Sequence, residues 1–193
     1  MGQAAPQDDS SIIVSLSEAA MHMYSAAIDA LPFAEDKKFH KRADVVLEGM
    51  RKLRTALSDA ASSNRPSPAV VVELSNVRRR YDSLMEHAAA APGSSLGQQL
   101  YVTRVHAKLS AEEVANGAGL PTHLPDQLEA GGTPNDDEAA KIRDTIDALG
   151  GVPGTEHLPY HDPEPEHHEA EHHDHDESHV NGHEEHFAEE NAS

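Results

Sequence analysis

The chain has 193 residues and a formal net charge of −19, from 34 acidic and 15 basic side chains, with no Cys and no Trp. The missing Cys excludes disulfides, thiolate metal sites and cysteine nucleophiles, and no stretch approaches the ~20 apolar residues that span a bilayer. Few aromatic residues beside plentiful Ala, Leu, Val and Glu favour thin helical layers over a β-sandwich or barrel.

The charge is unevenly spread. Eleven of the fifteen Lys and Arg lie between Lys37 and Arg80, whereas from Ala91 onward four basic residues face twenty-two acidic ones. A basic segment attracts phosphates and an acidic tail competes with them. Residues 1–10 read as a flexible N-terminus. They carry no basic residue before the first apolar run, unlike a secretory signal, so the expectation is a cytoplasmic protein.

Residues 11–91 predict a helical module of three helices, a bundle or a coiled-coil hairpin. In the first run, Ile12, Leu16, Ala19, Met23, Ala26 and Ala30 alternate four and three apart, which sets them along one helical face. Pro32 closes it. The second run, from about Asp36 to Ala61, repeats the rhythm with Phe39, Ala43, Val46, Met50, Leu53 and Leu57, and its other face carries Lys38, Lys41, Arg42, Arg51, Lys52 and Arg54. SSNRPSP at 62–68 breaks it. The third run uses Val70, Leu74, Val77, Tyr81, Leu84 and Ala88. These spacings predict an antiparallel hairpin with the first helix packed on it or on another subunit, so a homodimer or another helical protein is an expected partner. Arg78, Arg79 and Arg80 are either phosphate contacts or a solvated face. APGSS at 91–95 reads as a hinge.

Residues 96–150 predict a small helical domain. Leu96, Leu100 and Val105 point inward on its first helix. Ser110 caps the second, with Glu113 three residues on completing a capping box. Ala118-Gly119-Leu120 makes a tight turn, Leu124 and Leu128 anchor a third helix ending at Glu129-Ala130-Gly131, and Ala139, Ile142, Ile146 and Leu149 anchor the last. This order of anchors, L-S-x-E-E-V-A-x-x-A-G-L followed by L-x-x-L-E-x-G, resembles the Cro/lambda-repressor (Xre-like) helix-turn-helix family over about 55 residues. The resemblance implies a compact helical bundle, usually dimeric, with its third helix in the major groove of DNA. It places Thr122, His123 and Gln127 nearest the bases, and Arg104 and Lys108 on the phosphates. Ala111, Pro125, Asp126 and Glu129 depart from the family's DNA-facing pattern.

Residues 151–193 read as a disordered tail rich in His, Asp and Glu. Ten of the fifteen histidines lie between His157 and His186. Imidazole and carboxylate together suit Ni²⁺ or Zn²⁺, with His167, His168, His172, His173, His175, His179, His183 and His186 as candidate ligands. The bland reading is a solvating, pH-sensitive tail. The chain has no phosphate-binding glycine loop, no H-E-x-x-H and no G-x-S-x-G, so no enzyme activity and no required cofactor are expected. The leading expectation is an all-α DNA-binding transcriptional regulator. A non-enzymatic adaptor with a helix-turn-helix fold and a metal-binding accessory protein are its alternatives.

Overall fold

The computed structural model describes residues 7–62 and 67–155. These residues are all-α, with seven helices and no strand: α1 Gln7–Asp29, α2 Phe39–Ala61, α3 Pro68–Ala90, α4 Leu96–His106, α5 Ala111–Ala118, α6 Leu124–Glu129 and α7 Asp136–Ala148. None is long and apolar enough to cross a membrane.

Helices α2 and α3 form the hairpin, and their spaced apolar residues face each other. Phe39, Ala43, Val46, Met50 and Leu57 on α2 are buried, as are Val70, Leu74, Val77, Tyr81, Leu84 and Ala88 on α3. Helix α1 packs against both, but not with the face its spacing predicts. Ile13, Val14, Met21, Tyr24 and Ile28 turn toward the core, and Ile12, Leu16, Ala19, Met23, Ala26 and Ala30 are all exposed. The cause is legible in Ile12-Ile13-Val14. This helix is apolar on two sides, so periodicity alone does not choose between them. The helix also begins at Gln7, which makes residues 7–10 helical rather than a flexible terminus.

The expected hinge at 91–95 is a packed turn. Ala91 is buried, its carbonyl accepts from the Ser94 N–H at 3.2 Å, and Gly93 takes φ +82°. Side chains cross the turn as well: His40 Nε2 lies 2.9 Å from the Pro92 carbonyl oxygen, and Gln98 Nε2 donates to Asp44 at 3.0 Å. The core continues from Phe39 through Leu100, Leu128 and Ile142 to Val152, and the described residues fall in one compact unit. The stretches 11–91 and 96–150 therefore share a core. Val152, expected in the disordered tail, is 8% exposed and belongs to that core.

Ser95, Ser110 and Asn135 cap α4, α5 and α7, each in a reciprocal capping box with Gln98, Glu113 and Glu138. Gly119 ends α5 in the left-handed region, φ +61°, a conformation that costs glycine nothing. Pro125 sits in the first turn of α6, where its missing N–H breaks no helical hydrogen bond. Gly117, inside α5, has nothing within 4 Å of where a Cβ would stand. Gly117→Ala is expected to stabilise the chain by ~0.5–1 kcal/mol through helix propensity alone, read as a higher urea midpoint. A lower midpoint would mean that α5 is not helical at this position.

Candidate interaction surfaces

Thr122 and His123, in the turn that leads into α6, and Gln127 on that helix are exposed to solvent, beside Asp126 in its first turn. Lys108 is also exposed, at φ +59° in the α4–α5 turn. Arg104 is not available to a phosphate. Its Nε and Nη2 donate to the two carboxylate oxygens of Glu129 at 2.5 and 2.8 Å, and its Nη1 donates to the Leu109 carbonyl at 3.3 Å. The two side chains are only 14% and 6% exposed. A carboxylate so far from water needs a cation, and this need, not DNA, fixes Arg104. Burial pushes the Glu129 carboxyl above its usual range, with Arg104 pulling part of the way back. Burial works against the Arg104 charge, but the contacts with Glu129 outweigh it and hold its pKa up.

Two further features leave the expected DNA face poor in positive charge. Lys141 Nζ is drawn to the Gly119 carbonyl oxygen at 3.1 Å. Glu112 and Glu113 stand exposed on the first turn of α5. The Glu113 carboxyl is held below its usual range by the Ser110 backbone N–H and then by the Ser110 hydroxyl, so it is charged at neutral pH.

Arg78, Arg79 and Arg80 are exposed on α3 but do not act as one patch. Arg79 donates to Asn76 at 2.6 Å, and Arg80 borders a groove with Phe33, Leu84 and His87. Arg78 lines a polar cleft of about 390 Å³ with Arg54, Asp59, Asp82, Tyr101 and Arg104. There Arg54 lies over the Tyr81 ring at 4.6 Å, Tyr81 meets Tyr101 edge to face at 5.4 Å, and the Tyr101 hydroxyl donates to Asp82 at 2.5 Å. Burial pushes the Tyr101 hydroxyl pKa up, and the bond to Asp82 adds to the shift. The carboxylates offset much of the arginine charge, which makes this cleft a structural joint between α2, α3 and α4. No sequence spacing announces it, because its members come from three helices.

The apolar surface lies elsewhere. Ile12, Leu16, Met23, Phe33, Val45, Val71 and Val72 are the large apolar side chains exposed among the described residues, from 49% to 87%. All belong to α1–α3 and the α1–α2 loop. Beside the C-terminal end of α1, Ala27, Ala30, Leu31, Val45 and Val46 line a groove of about 640 Å³ rimmed by Lys38, Lys41 and Arg42. Ile12, Leu16 and Met23 lie along one face of α1, and apolar residues exposed together mark an interaction surface more than a solvated one.

The candidate metal ligands His167, His168, His172, His173, His175, His179, His183 and His186 lie outside the described residues. Among the described residues no group of three His, Asp or Glu is arranged to hold a metal ion.

The sequence signature of a family described as MSMEG_6518_N, N-terminal domain, matches residues 24–95. That span runs from Tyr24 in α1 through the α2–α3 hairpin to Ser95, the cap of α4. An uncharacterized protein of Mycolicibacterium smegmatis (strain ATCC 700084 / mc(2)155) is 53% identical over 129 residues, which cover 67% of this chain and 100% of that protein. No solved structure matches the chain.

Proposed function

The chain belongs to the family of that Mycolicibacterium smegmatis protein, and from this premise we propose that it is a cytoplasmic, non-enzymatic adaptor that binds protein through its N-terminal helical module. In this reading α4–α7 keep a repressor-type helix-turn-helix fold for packing rather than for reading bases. The observation that carries it is the reversal of surface character along the molecule. Among the described residues, the seven exposed large apolar side chains sit within the first 72 positions, while α5 and α6, where DNA would dock, expose Glu112, Glu113 and Asp126 and no Lys or Arg.

Phosphate neutralisation supplies most of the affinity of a DNA-binding surface. A face whose nearest arginine is spent on Glu129, and whose two helices carry only acidic charges, lacks that supply. A DNA-binding regulator is the second reading, favoured by the exposed side chains of Thr122, His123 and Gln127, which have the right chemistry for base edges.

Fluorescence anisotropy of the full chain with duplex DNA, over salt from ~50 to ~200 mM, separates the two. The adaptor reading expects no binding tighter than the ~10⁻⁴ M of weak non-specific association. Submicromolar binding that falls steeply with salt, and that Thr122→Ala or Gln127→Ala weakens, would overturn it in favour of the regulator.

A further inference from the structure

The exposed seam on α1 is more regular than a scatter of surface apolar residues. Ile12, Leu16, Ala19, Met23, Ala26 and Ala30 keep, over more than two heptads, the same four-and-three alternation that α2 and α3 bury against each other, a spacing suited to a helix-to-helix contact. Every one of these positions is exposed, with Ile12 at 56%, Leu16 at 66% and Met23 at 68%. The core-facing side of α1 is a different set of residues. The helix has therefore used one apolar face inside the chain and holds a second, complete one outside it.

We propose that this face pairs with α1 of a second copy of the chain, antiparallel, about a two-fold axis near residue 21. The sizes of the six side chains identify the occupant. In an antiparallel pair centred there, Ile12 meets the partner's Ala30, Leu16 meets the partner's Ala26, and Met23 meets the partner's Ala19. Each layer then holds one large and one small side chain, so the two helices run at a constant, close separation without voids. A parallel pair would stack Leu16 on the partner's Leu16 and Ala19 on the partner's Ala19, alternating crowded layers with empty ones. The seam is complementary to itself in one direction only.

Area and charge agree with this occupant. At 1.5 Å per residue the 23-residue helix is about 34 Å long. Its outer strip, with Val45 and the adjoining groove, offers on the order of 500 Å² per copy. Two copies then bury on the order of 1,000 Å², near the threshold for a specific interface. Helix α1 contains acidic residues and no Lys or Arg. The groove at its C-terminal end is rimmed by Lys38, Lys41 and Arg42, so reversing the partner helix sets an acid-only helix beside a basic rim.

The pairing goes beyond the adaptor reading and does not depend on it, because the DNA titration reports on α5 and α6 and this contact lies on α1. Sedimentation equilibrium of the full chain over roughly 10–200 µM, which covers micromolar association, is expected to show mass rising from 20.8 kDa toward twice that value. Leu16→Glu and Met23→Glu, each at an exposed site, should keep the helical circular dichroism and weaken the dimer by ~100-fold, since a charge would enter an apolar seam. Val72→Glu, exposed on α3 and outside the seam, should leave it intact.

Direction is read by cysteine pairing, for which the chain offers a clean background. Leu16→Cys mixed with Ala26→Cys should form a mixed disulfide, while neither variant alone cross-links. A monomer at every concentration would overturn the proposal. A dimer untouched by both glutamate variants would overturn the site, and disulfides within each single variant would overturn the antiparallel direction.

Discussion

Gly97→Ala is expected to cost the chain about 3 kcal/mol or more, the upper part of the range for overpacking a close contact. Gly97 is buried in the first turn of α4, where that helix crosses the end of α6. A Cβ there would stand 2.2 Å from the Leu128 carbonyl oxygen, 2.6 Å from the Leu128 carbonyl carbon and 3.2 Å from the Glu129 amide nitrogen. All three atoms are backbone, so no side chain can swing aside, and α6 must move away from α4 as a body. That movement would pull Leu128 from the core and strain the Arg104–Glu129 pair. Helix propensity favours the alanine by only ~1 kcal/mol, so the clash wins. The urea midpoint should fall, and amide exchange should rise first in α6. Gly117→Ala is the same chemical change in an unobstructed helix, so opposite signs for the two variants form the sharper result. An unchanged midpoint for Gly97→Ala would mean that α4 and α6 do not touch at this point.

Arg104→Ala has the second large expected effect. It removes the cation from a carboxylate whose side chain is 6% exposed, and breaking such a pair costs about 3 kcal/mol or more because the surviving charge is left unpaired. For a domain of this size that is a fall of roughly 6–12 °C in Tm. Arg104→Lys should recover only part of it, since one ammonium cannot supply the two parallel hydrogen bonds of the guanidinium.

The pH dependence has a definite sign. The folded-state pKa of Glu129 already lies above its ordinary value through burial, and losing Arg104 removes the main group that pulls it back, leaving only the more distant Arg54. A carboxyl with a raised folded pKa binds its proton more tightly when folded than when unfolded. Its penalty is full above the folded pKa, shrinks as pH falls, and vanishes below the unfolded value of about 4.3. The deficit of Arg104→Ala relative to the wild type should therefore narrow as pH is lowered from ~7 to ~5. Thermal melts of both proteins across that range test this, and a deficit that widens toward acid would show that Glu129 is not the buried charge responsible.

These two predictions rest on one joint, and the sequence shows only half of it. Leu128 and Glu129 belong to the repressor-like spacing and Gly97 does not, and the approach of Gly97 to them is invisible in sequence because 31 positions separate it from Leu128. Arg104 is the clearest case. As a lone cation near an expected recognition helix it reads as a phosphate contact, and only the position of Glu129 turns it inward. Arg78, Arg79 and Arg80 are likewise a single run in sequence. A helix turns 100° per residue, so consecutive residues face different neighbours: one meets the tyrosine joint, one meets Asn76, and one borders the Phe33 groove.

Local sequence alone settled the helical class of residues 7–62 and 67–155, the buried faces of α2 and α3, and the cap at Ser110. Each of these is encoded within a few neighbouring residues, as apolar side chains alternating four and three apart, a Ser followed three places later by Glu, or a proline at a break. Tertiary structure alone decided which side of α1 faces the core, that the 91–95 segment packs instead of bending, and that Val152 belongs with residues fifty and a hundred positions before it. Those outcomes depend on which surfaces meet. A helix with two apolar faces, a short Pro-Gly turn and a lone valine carry no local mark of what they will touch.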